Sequence, residues 1–395
     1  MTASRSVLIS GGGIAGLTAA LGFSKIGYHV EVFEKTEKFE SLGAGLQLSP
    51  NALRILDDLG VGRHVRISST TPQAIRILSA GFARKLAEVP LGAEAIIRFG
   101  LPYICVHRAD LHQALLMACQ NDPDISINMN SEVIDCTNHQ NGISALVNKD
   151  SRIDTFRGKM LICADGIRSK FRTELFDQPP AKHTGFEAWR SMIPADQVPT
   201  QFSMDFTHLI MGRGRHAVFY PVRGGRHLNV VLVTKSREKI EYTRHNADPE
   251  FIHSKTRFWN TAIRKILRSG DEWSVWPILT VPYQKKWSSG AVVMIGDAAH
   301  GMPPFAAQGA ALAIEDAQVL VNCVADESDL EKAFAMFQAK RSKRVKKVAK
   351  LADTNRQIYH MGFPFSWVRN LGMALTSPKK LLERQAWIYE WRAKD

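Results

Sequence analysis

The apolar positions of the chain follow two different rhythms. Residues 7–10 form a short unbroken apolar run, 14–26 carry apolar residues at helical spacing, and 29–33 form a second strand-length run ending in Glu34. A glycine-rich stretch, 11–16, joins the first run to the helix, so the chain opens as strand, helix, strand. Ser49 before Pro50 predicts a helix over 50–59, with serine as cap and proline in the first turn. A further helix is predicted over 110–120, and strands over 125–147 with a break at 138–142. A buried strand over 160–164 then runs into Asp165-Gly166 and the basic segment 168–172. From about 184 to 234 the rhythm becomes alternation. Residues 216–220 and 228–233 read as paired strands joined by Arg223-Gly224-Gly225-Arg226, a hairpin turn. This middle region is expected to be a separate antiparallel sheet closed by a helix near 249–267. The apolar strand rhythm returns at 291–295, followed by Gly296-Asp297 and a helix over 306–324.

Composition narrows the classes. The longest apolar runs are strand-length, far short of a bilayer span, and a core strand so near the N-terminus leaves no room for a signal peptide. The five cysteines (Cys105, Cys119, Cys136, Cys163 and Cys323) are odd in number and contain no Cys-x-x-Cys pair. They read as scattered buried thiols in a reducing cytoplasm, with no metal site. The net charge of +13 raises the question of nucleic acid. Seven of the eleven residues from Lys340 to Lys350 are basic, but they interleave with Val345, Val348 and Ala349 at helical spacing. That pattern reads as the solvated face of a long helix. No recognition motif accompanies it, so no nucleic-acid partner is expected. A basic surface also attracts anionic cofactors and carboxylate substrates.

Gly11-x-Gly13-x-x-Gly16 lies between a strand and a helix, where a dinucleotide fingerprint belongs. The glycines permit a tight turn and close backbone approach, and a pyrophosphate can sit on the helix N-terminus formed by Gly13, Ile14 and Ala15. Glu34 ends the second strand 18 residues past Gly16, where a carboxylate accepts hydrogen bonds from a ribose; Lys35 follows it. These features do not choose between FAD and NAD.

Two further segments do. Cys163-Ala164-Asp165-Gly166-Ile167-Arg168-Ser169 resembles the Asp-Gly motif of the FAD-dependent aromatic hydroxylases. Ile295-Gly296-Asp297-Ala298-Ala299-His300, continued by Met302-Pro303-Pro304 and Gln308-Gly309-Ala310, resembles their second FAD signature. Arg108, within His107-Arg108-Ala109-Asp110-Leu111, matches a third position near the flavin. The resemblance covers essentially the whole chain, and the salicylate, 3-hydroxybenzoate and 6-hydroxynicotinate hydroxylases are the most similar members. It implies the p-hydroxybenzoate hydroxylase fold: an α/β, Rossmann-like FAD-binding domain (1–180 and 284–325) interleaved with an antiparallel-sheet substrate domain (181–283), then C-terminal helices (326–395). It further implies that Asp165, Asp297, Pro304, Gly309, Ala310 and Gln47 lie at the FAD. The chemistry implied is NADH- or NADPH-driven hydroxylation by O2 through a flavin C4a-hydroperoxide. A single glycine fingerprint fits this family, whose nicotinamide cofactor has no Rossmann domain of its own.

On the substrate side, Gly214-Arg215-His216-Ala217-Val218-Phe219-Tyr220-Pro221 resembles the family's substrate-lining strand. Positions 216, 218 and 220 of a strand share a face. Attack on an aromatic ring by an electrophilic oxygen is helped by deprotonating a phenol, and a histidine of unperturbed pKa near ~6.5 suits a base. His216 is therefore the candidate base, with a structural histidine as the other reading. Tyr220 either orients the substrate or packs in the sheet. Gln308, Gln47 and Pro303 are candidate pocket neighbours, and Arg190 either meets a substrate carboxylate or nicotinamide or forms an ion pair. The chain departs from the family at Cys163, at Gly301, and at Ile278-Leu279-Thr280-Val281-Pro282, where relatives often carry Asp-Arg. Two alternatives stand beside the phenol hydroxylase. One is a same-fold monooxygenase or epoxidase acting on a lipid, quinone precursor or carotenoid, suggested by Phe363, Phe365, Trp367, Trp387, Tyr389 and Trp391 among Lys379, Lys380 and Arg384. The other is a non-catalytic FAD-binding redox protein. The expected partners are thus a small aromatic substrate and O2, with the chain a monomer or homodimer and membrane contact an open point.

Overall fold

The computed structural model describes residues 5–39, 45–236, 245–246, 249–270, 272–283 and 286–394. Five strands run parallel in one sheet: Val292–Met294, Met160–Cys163, Ser6–Ser10, His29–Phe33 and Ile125–Asn128, in that spatial order, with Ser288–Ser289 antiparallel at one edge. The side chains of Val292–Met294, Met160–Cys163 and residues 7–10 are buried on both faces, as the unbroken apolar runs require. The register sets Ser10 beside Phe33 and Cys163, and Cys163 beside Met294. The glycine loop, Glu34, Asp165 and Asp297 therefore leave the sheet at one level, along its carboxyl edge. Helix Ile14–Lys25 lies under helix Gly309–Asp326. Their closeness depends on Gly22, where a Cβ would stand 2.8 Å from Val321 Cγ2.

The second large sheet has eight strands. Ser274–Thr280, Lys182–Pro194, His227–Lys235, Arg215–Val222 and Phe206–Gly212 are antiparallel neighbours, as the alternation predicts. The hairpin turns at Arg223, Gly224 and Gly225, all at positive φ. His245–Asn246 pairs antiparallel with Ser274–Thr280 at one edge, and two further strands, Ala74–Ser79 and Lys85–Pro90, come from far earlier in the chain. Ala74–Ser79 joins Phe206–Gly212 in parallel, so the sheet is not wholly antiparallel. The period of two sorts its faces. Trp189, Phe219, Val230 and Leu232 bury against Ile252, Ile263, Ile266 and Leu267. The helix expected over 249–267 is two helices, Pro249–Thr256 and Thr261–Arg268. Asn260 breaks it, its Oδ1 accepting from Ala262 N at 3.0 Å. The opposite face turns towards the parallel sheet.

The C-terminal helices begin with Leu330–His360, 31 residues long. Its basic stretch is not uniformly solvated: Arg341 and Arg344 are buried. Arg341 Nε donates to Asp316 Oδ1 at 2.6 Å and its Nη1 to Glu315 Oε2 at 2.7 Å. Arg344 grips both oxygens of Glu315 at 2.6 and 2.7 Å. The Trp391 ring lies over both guanidinium groups, and Tyr389 is buried. Part of the aromatic tail is thus packing material, whereas Phe363, Phe365 and Trp367 stay exposed. Among the described residues, no helix is long and apolar enough to cross a membrane, and no cluster of ligands could hold a metal. The five cysteines are free. Burial pushes the Cys105 and Cys119 thiols up to about 12, which keeps them protonated and unreactive.

Candidate active site

A cavity of about 360 Å³ lies between the carboxyl edge of the parallel sheet and the inward face of the eight-stranded sheet. One wall comprises Gly13, Ile14, Ala15, Gly45, Gln47, Arg108, Gly166, Asp297, Pro304, Gly309 and Ala310; the other comprises Arg190, His216, Val218, Tyr220, Val231 and Val233. Residues as far apart in sequence as Gly13 and Ala313 thus meet, and most of the expected site lines one space.

The first wall is shaped for a nucleotide. Gly11 sits at φ +106°, and a Cβ there would lie 2.5 Å from Ala164 O; a Cβ on Gly16 would lie 2.0 Å from Gly11 O. Both glycines are demanded by the turn itself. Gly13 and Gly309 differ: a Cβ on either would meet nothing within 4 Å. Their bare backbone borders open space, which suits close approach of a ligand. Each also opens a helix, Ile14–Lys25 capped by Gly13 and Gly309–Asp326 beginning at Gly309 itself. Two partly positive helix ends therefore converge on the cavity. Glu34 Oε2 accepts from Gly12 N at 2.9 Å, and its Oε1 from Thr36 N at 3.0 Å; His112 Nε2 stands 2.7 Å from Gly12 O. The carboxylate is thus at the loop, while Lys35 is exposed beside it. Asp165 Oδ1 is buried without a hydrogen-bond partner. Burial raises the Asp165 carboxyl, although hydrogen bonds from Ser169 and Lys170 oppose the rise. Asp297 is exposed to the cavity, and desolvation by the surrounding protein raises its pKa against the pull of His300 and Arg108. These features fit FAD: bare backbone for phosphates, carboxylates for sugar hydroxyls, and a helix end for the ring edge.

Asp297 is held from behind. Asp316 Oδ2 accepts from Gly296 N at 2.8 Å and stands 2.5 Å from His300 Nε2, and Asp316 is itself paired with Arg341. Gly296, at φ +61°, takes a turn that favours glycine. His300 is thereby a support of the Gly296-Asp297 turn.

On the second wall the register places Arg190 beside Val231 and Val231 beside Val218, with His216 opposite Val233. Arg190, half-buried, enters this wall with its Nε buried and without a hydrogen bond, and its guanidinium carbon lies 5.8 Å from the centre of the Trp276 ring. Burial lowers its pKa; nearby Tyr220 raises it and Arg108 lowers it further. His216 is buried, its Nδ1 2.8 Å from His360 Nε2, and desolvation drives its pKa well below the ordinary histidine value, helped by His360. Its ring also packs against Phe305 and Tyr359.

Three expected contributors are already engaged elsewhere. Tyr220 lines the cavity, but its hydroxyl donates to Gly45 O at 2.6 Å, while Asn229 Oδ1 accepts from Gly45 N at 2.8 Å. The sheet thereby clamps the start of strand Gly45–Leu48. Gln308 is buried outside the cavity lining. Its Nε2 donates to Ser49 Oγ at 3.0 Å and its Oε1 accepts from Asn51 Nδ2 at 3.4 Å. Ser49 serves this network and makes no side-chain cap for helix Pro50–Asp58. Pro303 lines a neighbouring cleft with Thr280, Tyr283 and Lys346; Met302 borders both spaces. Gln47 does reach the cavity, its Oε1 accepting from the Tyr103 hydroxyl. Asn229, His112 and His360 escaped the sequence reading, because only contacts across 100 or more positions give them meaning.

Residues 4–352 match the family model described as FAD binding domain. Among characterised proteins, the chain is 30% identical to 3-hydroxybenzoate 6-hydroxylase 1 of Aquipseudomonas alcaligenes over 97% of both chains. It is 26% identical to 6-hydroxynicotinate 3-monooxygenase of Bordetella bronchiseptica, over 88% of this chain and 91% of the relative. A salicylate hydroxylase substrate complex superposes with a TM-score of 0.83 at 21% identity, covering 99% of this chain and 96% of that one. At that identity the likeness concerns the fold.

Proposed function

We propose, from the premise that this chain belongs to the FAD binding domain family and is an FAD-dependent monooxygenase, that it hydroxylates a small phenolic or hydroxy-heteroaromatic ring bearing a carboxylate, with NADH or NADPH and O2. The observation that carries the carboxylate is Arg190. A half-buried arginine whose Nε is buried and unpartnered is costly, and a bound carboxylate offsets that cost by a charge-assisted hydrogen bond. The hydroxybenzoate and hydroxynicotinate named for the relatives have this chemistry.

The chemistry supplied by bound FAD is acceptance of hydride from the nicotinamide and activation of O2, one atom of which enters the ring. The chain's own residues bind and orient. Gly13 and the start of helix Ile14–Lys25 would receive the pyrophosphate, Glu34 the adenosine ribose, Asp297 the ribityl hydroxyls, and Gly309 and Ala310 the ring edge. Arg108, which lines the cavity, and Asp165, between lining residues Ala164 and Gly166, would border the FAD. Arg190 would hold the substrate carboxylate, His216 would take the phenolic proton, and the valines between them would keep water from the ring. Tyr220 and Gln308 act as supports: Tyr220 fixes Gly45, and Gln308 fixes the approach of helix Gly309–Asp326 to Ser49. Monomer and homodimer both suit this reading. Free, protonated thiols suit a cytoplasmic setting.

An oxygen-consumption screen of hydroxybenzoates, hydroxypyridines and quinolones with each nicotinamide, with product analysis, tests the reading. Oxygen uptake without oxygenated product for every ring would sink it in favour of a non-catalytic redox protein. Two variants test the assignments. Asp297→Ala should weaken FAD binding roughly ten- to a hundred-fold, the worth of a charge-assisted hydrogen bond; the ratio of flavin to protein absorbance after purification reads this. Arg190→Gln should raise KM for a carboxylated substrate by roughly the same factor with kcat little changed, since the contact persists through the reaction. Turnover of the same ring without its carboxylate should be unaffected, and equal losses for both rings would remove Arg190 from substrate recognition.

A further inference from the structure

A cleft of about 730 Å³ lies apart from the FAD cavity and shares no lining residue with it. Five cations line it, Arg213, Arg215, Lys235, Lys255 and Arg369, and no acid does. Two of the arginines are anchored through backbone carbonyls: Arg215 Nη1 donates to Lys255 O, and Arg369 Nη1 to Ile358 O at 2.7 Å. Such bonds fix a guanidinium without neutralising it. Burial lowers the pKa of both groups, and no neighbouring carboxylate opposes the fall. The cleft therefore holds partly desolvated positive charge that the fold itself leaves uncompensated.

Its rim is apolar and stands in water. Phe82 comes from the turn between strands Ala74–Ser79 and Lys85–Pro90. Phe258 comes from the link between helices Pro249–Thr256 and Thr261–Arg268, and Phe363 from the turn after helix Leu330–His360. All three line the cleft, yet they are 85%, 79% and 87% exposed. One exposed ring is ordinary; three from separate turns at one opening are a patch.

The next helix extends the patch. Phe365–Ala374 carries Phe365, Val368 and Leu371, followed by Leu375 just past its end, at steps of three, three and four. All four are exposed, with exposed Trp367 beside them. Apolar residues at that spacing ordinarily mark the buried face of a helix. Here the opposite arrangement holds: Ser366, Arg369 and Asn370 turn to the cleft, and Met373 packs against the sheet residues beneath. The apolar stripe looks outward from a helix whose inner side is mostly polar.

We propose that this face docks on an anionic membrane leaflet, with the Phe82, Phe258, Phe363 and Trp367 rings in the headgroup–acyl boundary and the cleft cations on lipid phosphates. Charge complementarity selects this occupant. A second copy of the chain across a two-fold axis would set the cation cluster against its own image. A nucleic acid would satisfy the cations but leave Val368, Leu371 and Leu375 in water. An anionic leaflet supplies the missing counter-charge and accepts the apolar stripe in the same contact. The helix lies on the surface, since among the described residues none is long and apolar enough to cross a membrane. Attachment of this kind is reversible and salt-dependent, and it is independent of which ring the FAD cavity hydroxylates.

The test uses the full FAD-loaded chain with vesicles of phosphatidylcholine alone and of phosphatidylcholine mixed with phosphatidylglycerol. The protein should sediment with the mixed vesicles, stay in solution with phosphatidylcholine, and be released by high salt. Phe363→Ser with Leu371→Ser should weaken partition at least ten-fold, because each side chain loses its burial in the leaflet. Arg213→Gln with Lys235→Gln should weaken it roughly 25-fold, at about five-fold for each cation beside an anionic surface. Flavin content should match the wild type in both. Lys340→Gln with Lys343→Gln, on the exposed side of another helix, should change partition less than two-fold. Acyl-brominated lipids should quench tryptophan emission in the wild type and much less in Trp367→Phe, which still sediments. Failure to bind the mixed vesicles, or equal losses from the two cation pairs, overturns the proposal. So does saturation by short-chain phosphatidylglycerol below its micelle concentration, which would make the cleft a site for a free amphiphile. A dimer that Phe363→Ser with Leu371→Ser dissolves, without vesicle binding in the wild type, would give the face to a second copy instead. Should a variant lose its fold, the vesicle preference and quenching of the wild type still decide.

Discussion

Arg341→Met should cost about 3–5 kcal/mol of stability, the usual loss when one partner of a buried ion pair is removed, although the residue lies outside the cavity lining. Arg341 and Arg344 share Glu315 and Asp316 at 2.6–2.7 Å, and both acids are fully buried. Removing one cation leaves carboxylate charge that burial makes expensive. The effect reaches the FAD site, since Asp316 also accepts from Gly296 N and meets His300, which together set the Asp297 turn. The variant should therefore unfold at lower denaturant and also lose part of its flavin. Lys340→Met and Lys343→Met, on the exposed side of the same helix, should each shift stability by less than about 0.5 kcal/mol. Equal effects at buried and exposed positions would refute the account.

Acid should expose the same cluster. Burial pushes the Asp316 carboxyl up, but His300 and Arg341 outweigh it and hold the group at about 2. A carboxyl depressed in the folded state contributes stability that is complete above its unfolded value, near ~3.9, and is lost as pH falls through the folded one. The wild type should lose this contribution between about pH 4 and pH 2, and Arg341→Met should lose less there because its Asp316 is less depressed.

The cluster also marks where the sequence was legible and where it was not. The glycine loop, the Asp-Gly segment and the Gly296-Asp297 turn are local: strand, turn and helix follow within a dozen residues, and the steric demand on Gly16 comes from inside the motif, whereas that on Gly11 comes from Ala164 of the Asp-Gly segment. The strand face of positions 216, 218 and 220 follows from period two alone. The basic helix misled because lysine and arginine count equally in a charge run. Yet Phe334, Phe337, Arg341, Val345 and Val348 form one buried stripe, with Arg341 at a position where the spacing requires burial. Glu315-Asp316 inside the apolar run of helix Gly309–Asp326 is the complementary sign. Two acids on one buried helix and two arginines on another are a signal readable before any coordinates. No comparable signal marks His360 as the partner of His216, or adds strands Ala74–Ser79 and Lys85–Pro90 to a sheet that begins a hundred residues later. Those depend on which edges meet in space. The direction of the Gln308 amide was not legible for a related reason: Ser49 and Asn51 decide where it points.

His216→Ala should reduce formation of hydroxylated product by roughly 10²–10⁴, the range that a positioned general base supplies, while FAD stays bound. The residue touches none of the glycine loop, Glu34 or Asp297, so flavin content should match the wild type. Oxygen and nicotinamide consumption should persist in part and yield hydrogen peroxide, because a ring that keeps its phenolic proton is a poorer target for an electrophilic oxygen. The pH profile separates this from a packing defect. A base must be neutral to act, and a folded pKa well below the ordinary histidine value keeps His216 neutral throughout pH 6 to 9. The wild type should show no loss of base function near ~6.5, where an unperturbed histidine titrates. In the variant, product formation should instead rise with pH as the phenol ionises unaided in bulk solvent and binds as its phenolate. A residue that merely filled space would lower activity by the same factor at every pH. Full coupled activity of His216→Ala from pH 6 to 9 would show that the phenol loses its proton without this histidine.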